Sequence, residues 1–371
     1  MTATGQVVPL AQPVIGAAEE QAVLAVLRSG MLSLGPVGPE FERAFARRLG
    51  AVHASAVSSG TAGLHLALRA AGVSDGDEVL TSPFSFVASA NAIIYERATP
   101  VFADIDPVTL NLDPHAAAAA ITPRTRALLP VHIFGYPADL PAFEAMRLPI
   151  VEDACEALGA VHADGTAVGA RGHAAVFGFY PNKQLTTGEG GMVCVADGAI
   201  KQRIDSERNQ GRAPDMGWLD HDRLGFNYRL SDIAGALGLA QLDRLDDMLA
   251  ARARVASSYR DALAEIEGLE LPCPDQGGGQ RGWFVFVVQL PRGVERDETV
   301  RALAAHGVQS KPYLPAIHLM SFYRERFGHR PGEFPVCEDV AARSLALPFF
   351  PGLTEGQIAQ VVSALRSVLG R

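Results

Sequence analysis

Five apolar stretches of strand length, each running into a loop and several of them on into a segment of helical periodicity, dominate residues 53–160. HASAVSSGTAGLHLALRAAG (53–72) reads as strand, Ser-Gly-Thr turn and a helix closed by Gly72. DEVLTSPFSFVASANAIIYERATPVFADID (77–106) gives strand, loop, helix and strand. TRALLPVHIFG (125–135) and LPIVEDACEALGA (148–160) are two more apolar strands, each entering a loop. Strand and helix signals in alternation mean βαβ units and a mostly parallel sheet, and near-continuous apolar strands mean a sheet covered on both faces. The fold class is therefore α/β.

Two amphipathic helices precede this region, over 16–30 and 39–50, each stopped by a glycine. After about residue 250 the texture changes. A long helical stretch (231–266) leads to the Gly/Pro-rich PCPDQGGGQRG (272–282) and a strong strand, WFVFVVQL (283–290). This predicts a large domain over 1–250 and a smaller α/β domain over 251–371.

Composition narrows the function classes. A net charge of −9 argues against nucleic acid as partner, because phosphate backbones demand a basic face. The four cysteines are far apart with no CxxC pair, which excludes a disulfide framework and a zinc site and points to a reducing cytoplasm. No signal peptide is evident, no apolar run approaches the ~18 residues of a membrane span, and the histidines show no metal-binding spacing, so neither membrane nor metal is expected.

In an open α/β sheet, ligands collect at the carboxyl ends of the strands. Ser58-Ser59-Gly60-Thr61 opens a helix there, either as a plain cap or as a phosphate cradle. Phe84 and Phe86 follow a strand and either plug the core or stack on a flat ring. Asp153 ends a strand, where a carboxylate either caps a helix on CEALGA or meets a cation. Lys183 lies in FYPNKQLTTGEGG, as a solvated hairpin tip or a nucleophile delivered by two strands. Taken singly, each has an ordinary structural reading. Together they supply a phosphate site, a ring face, an acid for a ring nitrogen and an amine for an aldehyde, which are the demands of pyridoxal 5'-phosphate.

The ordered set SSGTAGLHLAL, GDEVLTSPFSFVASANAI, PVFADIDP, PVHIFGYPADL, VEDACEALGA, FYPNKQLTTGEGG, RNQGR, GFNYRLSDIAGALGLAQL and KPYLPAIHL resembles the DegT/DnrJ/EryC1/StrS family of nucleotide-sugar aminotransferases, of fold type I, along nearly the whole chain. The resemblance implies that Lys183 bonds the cofactor aldehyde and moves the proton. It implies that Asp153 pairs with the pyridine nitrogen, that Phe86 stacks on the ring, and that Gly60 and Thr61 hold the phosphate. Asn227 resembles an asparagine reaching the cofactor phosphate of a neighbouring subunit, which implies a homodimer with shared sites. Glu156 stands where many relatives carry glutamine near the ring's 3-hydroxyl. Arg208, Arg212, Lys311, Tyr313 and His318 are candidates for the amino donor's carboxylate or the nucleotide diphosphate, with solvated surface charge as the alternative.

One departure stands out: Gly178 occupies the place of a serine that donates to the phosphate in many members, leaving Thr61 or water to replace it. The implied reaction moves an amino group, usually from L-glutamate, to a nucleotide-linked keto-sugar. The wording leans towards 4-aminotransferases that make GDP-perosamine or UDP-4-amino-sugars, hence a 4-keto-6-deoxyhexose. A 3-keto-sugar or an aminocyclitol precursor is the nearest alternative. A sugar dehydratase of this fold would carry histidine at Lys183, and a cofactor-binding regulator would carry a basic helix-turn-helix, which is not seen.

Overall fold

The computed structural model describes residues 7–213, 220–275 and 277–370. The extreme N-terminus, on which the absence of a signal peptide was read, lies partly outside them. The strands, in chain order, are β1 (His53–Val57), β2 (Glu78–Thr81), β3 (Thr99–Phe102), β4 (Thr125–Leu129), β5 (Val151–Asp153), β6 (Ala174–Gly178), β7 (Gly191–Val195), β8 (Phe286–Gln289), β9 (Lys311–Pro312) and β10 (Ser344–Leu347).

β1, β7, β6 and β5 pair in that order, and β3, β2 and β4 form a second ladder. Parallel bridges Leu128–Ile150 and Val131–Asp153 join β4 to β5. The result is one sheet ordered β1-β7-β6-β5-β4-β2-β3, in which β7 alone runs against its neighbours. The carboxyl ends of β1, β2, β4, β5 and β6 therefore open onto one edge, where the loops with Gly60, Phe86, His132, Asp153 and Lys183 emerge.

Burial on both faces follows the apolar strand sequences. Helix Gly60–Ala70 covers one face through Leu64, Leu66 and Leu68, all essentially inaccessible. Helix Val37–Leu49 covers the other: Phe41 and Phe45 pack their rings against Phe177 and Phe179, with centroids 5.3–5.6 Å apart. Each buried phenylalanine contributes about 1.5–3 kcal/mol of apolar burial. Phe177 and Phe179 also bracket Gly178, so this cluster fixes the strand end from which the lysine loop departs.

The stretch 231–266 does not form one helix. It breaks at Arg244, whose backbone leaves the helical region (φ −107°, ψ 6°), giving helices Asp232–Asp243 and Leu245–Leu263. The break turns the Arg244 guanidinium onto buried Glu19, 2.7 Å away, in helix Ala17–Ser29. Helix Leu245–Leu263 then runs unbroken through residue 250, so its start packs on the large sheet through Leu245 and Met248. Its end packs through Val255, Tyr259 and Leu263 into a second core. That core also contains the antiparallel sheet β8-β10-β9 and, from the other end of the chain, Val8. The strand read over 283–290 is shorter, β8 alone, because residues 281–285 are spent on contacts with the lysine loop and Gly135 described below.

Candidate active site

β6 and β7 meet at Gly178 and Gly191, so residues 179–190 leave and re-enter the sheet at one point. Backbone bonds fold this segment on itself: the Phe179 N–H donates to Gly190 O (2.9 Å) and the Thr187 N–H to Phe179 O (3.0 Å). The Lys183 N–H closes a turn onto Tyr180 O (2.9 Å), with Pro181 fixing its φ. The side chain of Lys183 is only 14% exposed, so it is not a solvated tip. Its Nζ lies 3.7 Å from Glu156 Oε1 and 3.9 Å from the centre of the Phe284 ring.

Glu156 is buried, and its Oε2 accepts the Phe134 N–H at 2.9 Å. Burial raises its carboxyl above the usual carboxylate range, against the opposing pull of Lys183 and the Phe134 N–H. Tyr313 stands behind it, partly buried, with its ring 5.7 Å from Phe134 and 6.3 Å from Phe284. Burial and the Glu156 carboxylate push its phenol upward. Gly135, at φ +82°, lets this wall close: a Cβ there would meet Gly282 O at 1.9 Å, a contact no other residue could make.

Asp153 is 5% exposed at the end of β5. Its Oδ2 accepts from Ser89 Oγ (2.7 Å) and its Oδ1 from the Cys155 N–H (3.1 Å). Among the described residues no cation pairs with it. The helix of the alternative capping reading does not form; residues 154–160 make successive turns instead, with Gly159 left-handed. A buried carboxylate with two neutral donors and no counter-charge is costly, and fits a ligand that brings a positive nitrogen.

Gly60 and Thr61 begin helix Gly60–Ala70, so their N–H groups have no intrahelical acceptor, while Ser59 Oγ caps the Ala62 N–H (3.1 Å). The floor beside them is closely packed around glycines: a Cβ on Gly60 would sit 2.7 Å from Cys155 Sγ, and one on Gly191 2.8 Å from the Gly60 nitrogen. At Gly178 a Cβ would meet Cys155 Cβ and Sγ at 3.4 Å, so the thiol stands over the position that lacks the serine. Phe86, on the loop after β2, is 61% exposed and free to face a ring. The buried lysine, uncompensated acid, glycine-lined cradle and exposed aromatic fit pyridoxal phosphate.

Not every candidate lies at this edge. Arg208 is engaged by Glu42, by Asp205 (2.7 Å) and by the Ala56 carbonyl. His318 is fully buried against Phe334 and bonded to Glu338 (3.0 Å). Neither is placed to meet a ligand in this chain. Lys311 is exposed on β9, and Arg212 is half-buried with its Nε unpartnered among the described residues. Asn227 is exposed, and its backbone is bridged to Asn209.

Several residues of the site were not read from the sequence. Arg252 is 3% exposed and donates Nη1 to Phe284 O (3.0 Å) and Nη2 to Asn182 O (3.3 Å) and Lys183 O (2.9 Å). It ties the lysine turn to the segment that leads into β8. Its signal was present: it falls on the apolar stripe with Val255, Ala256, Tyr259 and Leu263, where an arginine is out of place. Gln184 does similar work, donating to Glu156 O (2.6 Å) and Gly282 O (2.9 Å). Ser89 and Phe284 gave no signal beyond ordinary helix and strand residues.

Residues 13–366 match the model of the DegT/DnrJ/EryC1/StrS aminotransferase family. The chain is 37% identical over 378 residues to the spore coat polysaccharide biosynthesis protein SpsC of Bacillus subtilis, covering 97% of each. It is 38% identical over 370 residues to the GDP-perosamine synthase of Caulobacter vibrioides, covering 98% of each. Among solved structures, S. venezuelae DesV in complex with a ketimine intermediate superposes with a TM-score of 0.90 at 36% identity, covering 96% of this chain and 95% of that one. No helix among the described residues is long and apolar enough to cross a membrane.

Proposed function

The chain belongs to the DegT/DnrJ/EryC1/StrS family of pyridoxal-phosphate-dependent sugar aminotransferases, and from that premise we propose that it aminates C4 of a nucleotide-linked 4-keto-6-deoxyhexose with L-glutamate as donor. The similarity to GDP-perosamine synthase supports the 4-position. The observation that carries the reading is the largely enclosed Lys183 side chain, its Nζ 3.7 Å from Glu156 and on the same sheet edge as the uncompensated Asp153. Bound pyridoxal phosphate supplies an aldehyde that exchanges amines and a ring that accepts electrons.

The residues do the rest. Lys183 would hold the cofactor covalently, and its amine would take and return the proton at the substrate's amine-bearing carbon. Asp153 keeps the ring nitrogen protonated, held in place by Ser89 and the Cys155 N–H. The free N–H groups of Gly60 and Thr61 bind the phosphate, and Phe86 covers the ring. Glu156, 3.7 Å from the Lys183 amine, would stand beside the 3-hydroxyl of the bound ring. Tyr313, Phe134 and Phe284 wall the site against water, while Arg212 and Lys311 face the anionic parts of the substrates. Asn227, which is exposed, would serve a partner's phosphate in a homodimer. The large domain over 1–250 would then hold the cofactor and the domain over 251–371 close upon the sugar.

The test is a purified sample with L-glutamate and a panel of GDP-, UDP- and dTDP-linked keto-sugars. A visible cofactor band that borohydride bleaches and fixes to Lys183, with amination of a 4-keto-sugar, is the expected result. Full activity in Lys183→Ala would sink the assignment, and amination of 3-keto-sugars alone would overturn the position.

A further inference from the structure

Beside the active site, but separate from Lys183, lies a cavity of about 280 Å³ between the Pro107–Leu110 loop, the segment Glu270–Pro274 and one face of β8. Two of its lining residues are unusual. Arg281 is 5% exposed, held between the rings of Tyr136 (4.7 Å) and Trp283 (4.9 Å). Its Nη2 donates to Cys273 O and Sγ, both at 3.3 Å, yet its Nε has no partner and no carboxylate pairs with it among the described residues. Burial pulls its pKa below the usual guanidinium value without neutralising it. Gln289 is 7% exposed on β8; its Nε2 is committed to Ser344 Oγ (2.8 Å), and its Oε1 is unpartnered.

An unpaired buried guanidinium asks for an anion, and an unpaired buried amide oxygen asks for a donor. Gln289 and Val287 project from the same face of β8, so the acceptor lies over an apolar floor shared with Phe134. Glu270, on the rim and bonded to Arg343 (2.9 Å), adds negative charge. A ligand there carries an anionic and a cationic end. The volume holds on the order of nine water-sized groups, enough for a small amino acid and too little for a nucleotide.

We propose that this cavity is a second small-molecule site that binds a free α-amino acid, with its carboxylate on Arg281 and its ammonium on Gln289 Oε1. Occupancy would be felt at the active site through two direct links. Phe134 lines the cavity and its N–H is bonded to Glu156, and Gly282, next to Arg281, accepts a bond from Gln184 beside Lys183.

Calorimetry on the borohydride-reduced holoenzyme tests this, with L-glutamate, L-glutamine and L-aspartate as probes. Glutarate, which lacks the amino group, and inorganic phosphate are the controls. At least one amino acid is expected to bind saturably, with glutarate and phosphate about tenfold weaker or more. Arg281→Gln is expected to lower that affinity about tenfold or more and Gln289→Leu severalfold, whereas Gln289→Glu, nearly isosteric, strengthens it. Circular dichroism checks that each variant is folded. Absence of saturable binding by every probe, equal binding of glutarate or phosphate, or binding indifferent to all three folded variants would each overturn the proposal. Because the readout is binding to a chemically closed enzyme, it fails or succeeds independently of the sugar specificity.

Discussion

Replacing Arg252 by methionine tests whether the lysine turn is held by a single buried guanidinium. The side chain keeps comparable volume and loses every donor. Two of the three bonds removed go to the turn itself, on Asn182 O (3.3 Å) and Lys183 O (2.9 Å). At about 1.5 kcal/mol for each bond from a charged donor, the turn loses about 3 kcal/mol of restraint. That corresponds to about 10²-fold in the fraction of time Lys183 is correctly placed, the same order as a displacement of ~1 Å costs in a positioned catalytic group. Relief of the buried charge, whose pKa burial lowers to about 10, offsets loss of overall stability but not loss of positioning. The expected result is a fall of about 10² in kcat/KM, a shifted visible band of the bound cofactor, and unchanged far-ultraviolet circular dichroism. Arg252→Lys, a point donor that satisfies one carbonyl at a time, should lose only about tenfold. If Arg252→Met stays within about threefold of the parent with the same spectrum, the guanidinium does not position the lysine. Equal losses in the two variants would also refute the reasoning, since it rests on the number of bonds kept.

Two further outcomes follow from close contacts and buried charge. Gly60→Ala places a Cβ 2.7 Å from Cys155 Sγ; overpacking of about 1–3 kcal/mol should weaken cofactor binding by about tenfold, measured by titrating the visible band. Cys155→Ala should restore it in the double variant, and additive losses would show that the two groups are not in conflict. His162 is buried, and burial, with His132 close by, lowers its imidazole from 6.5 to about 4. The unfolded chain then binds more protons between those values, so stability is full above about pH 6.5 and falls as the pH drops towards about 4. Between about pH 7.5 and about pH 5 this one group should remove about 2 kcal/mol, and His162→Gln should flatten that part of the urea-midpoint profile. Parallel profiles for the two proteins would place the acid sensitivity elsewhere.

The sequence by itself determined the order of the elements and the chemistry of their loops. Apolar strands alternating with amphipathic helices leave few arrangements, and Gly60, Asp153 and Lys183 were legible because each follows a strand end, where an open α/β sheet gathers ligands. The caps at Gly30 and Gly50 were legible for a local reason, since a left-handed residue after the last helical turn favours glycine. What the tertiary structure decided depends on contacts far apart in the chain. Whether Lys183 was solvated or buried turned on Glu156, Phe284 and Arg252, which lie up to 101 residues away in sequence. The helix break at Arg244 answers to Glu19, 225 residues distant, and no local pattern marks it. Arg208 and His318 looked available because charge reads as exposure in a sequence; in the fold they are engaged by the carboxylates of Glu42 and Glu338. That Gly178 lies beside Cys155, 23 residues away in the chain, was likewise a matter of tertiary packing. Periodicity and turn chemistry act over a few residues and can be read in order, whereas burial and pairing depend on which surfaces the fold brings together.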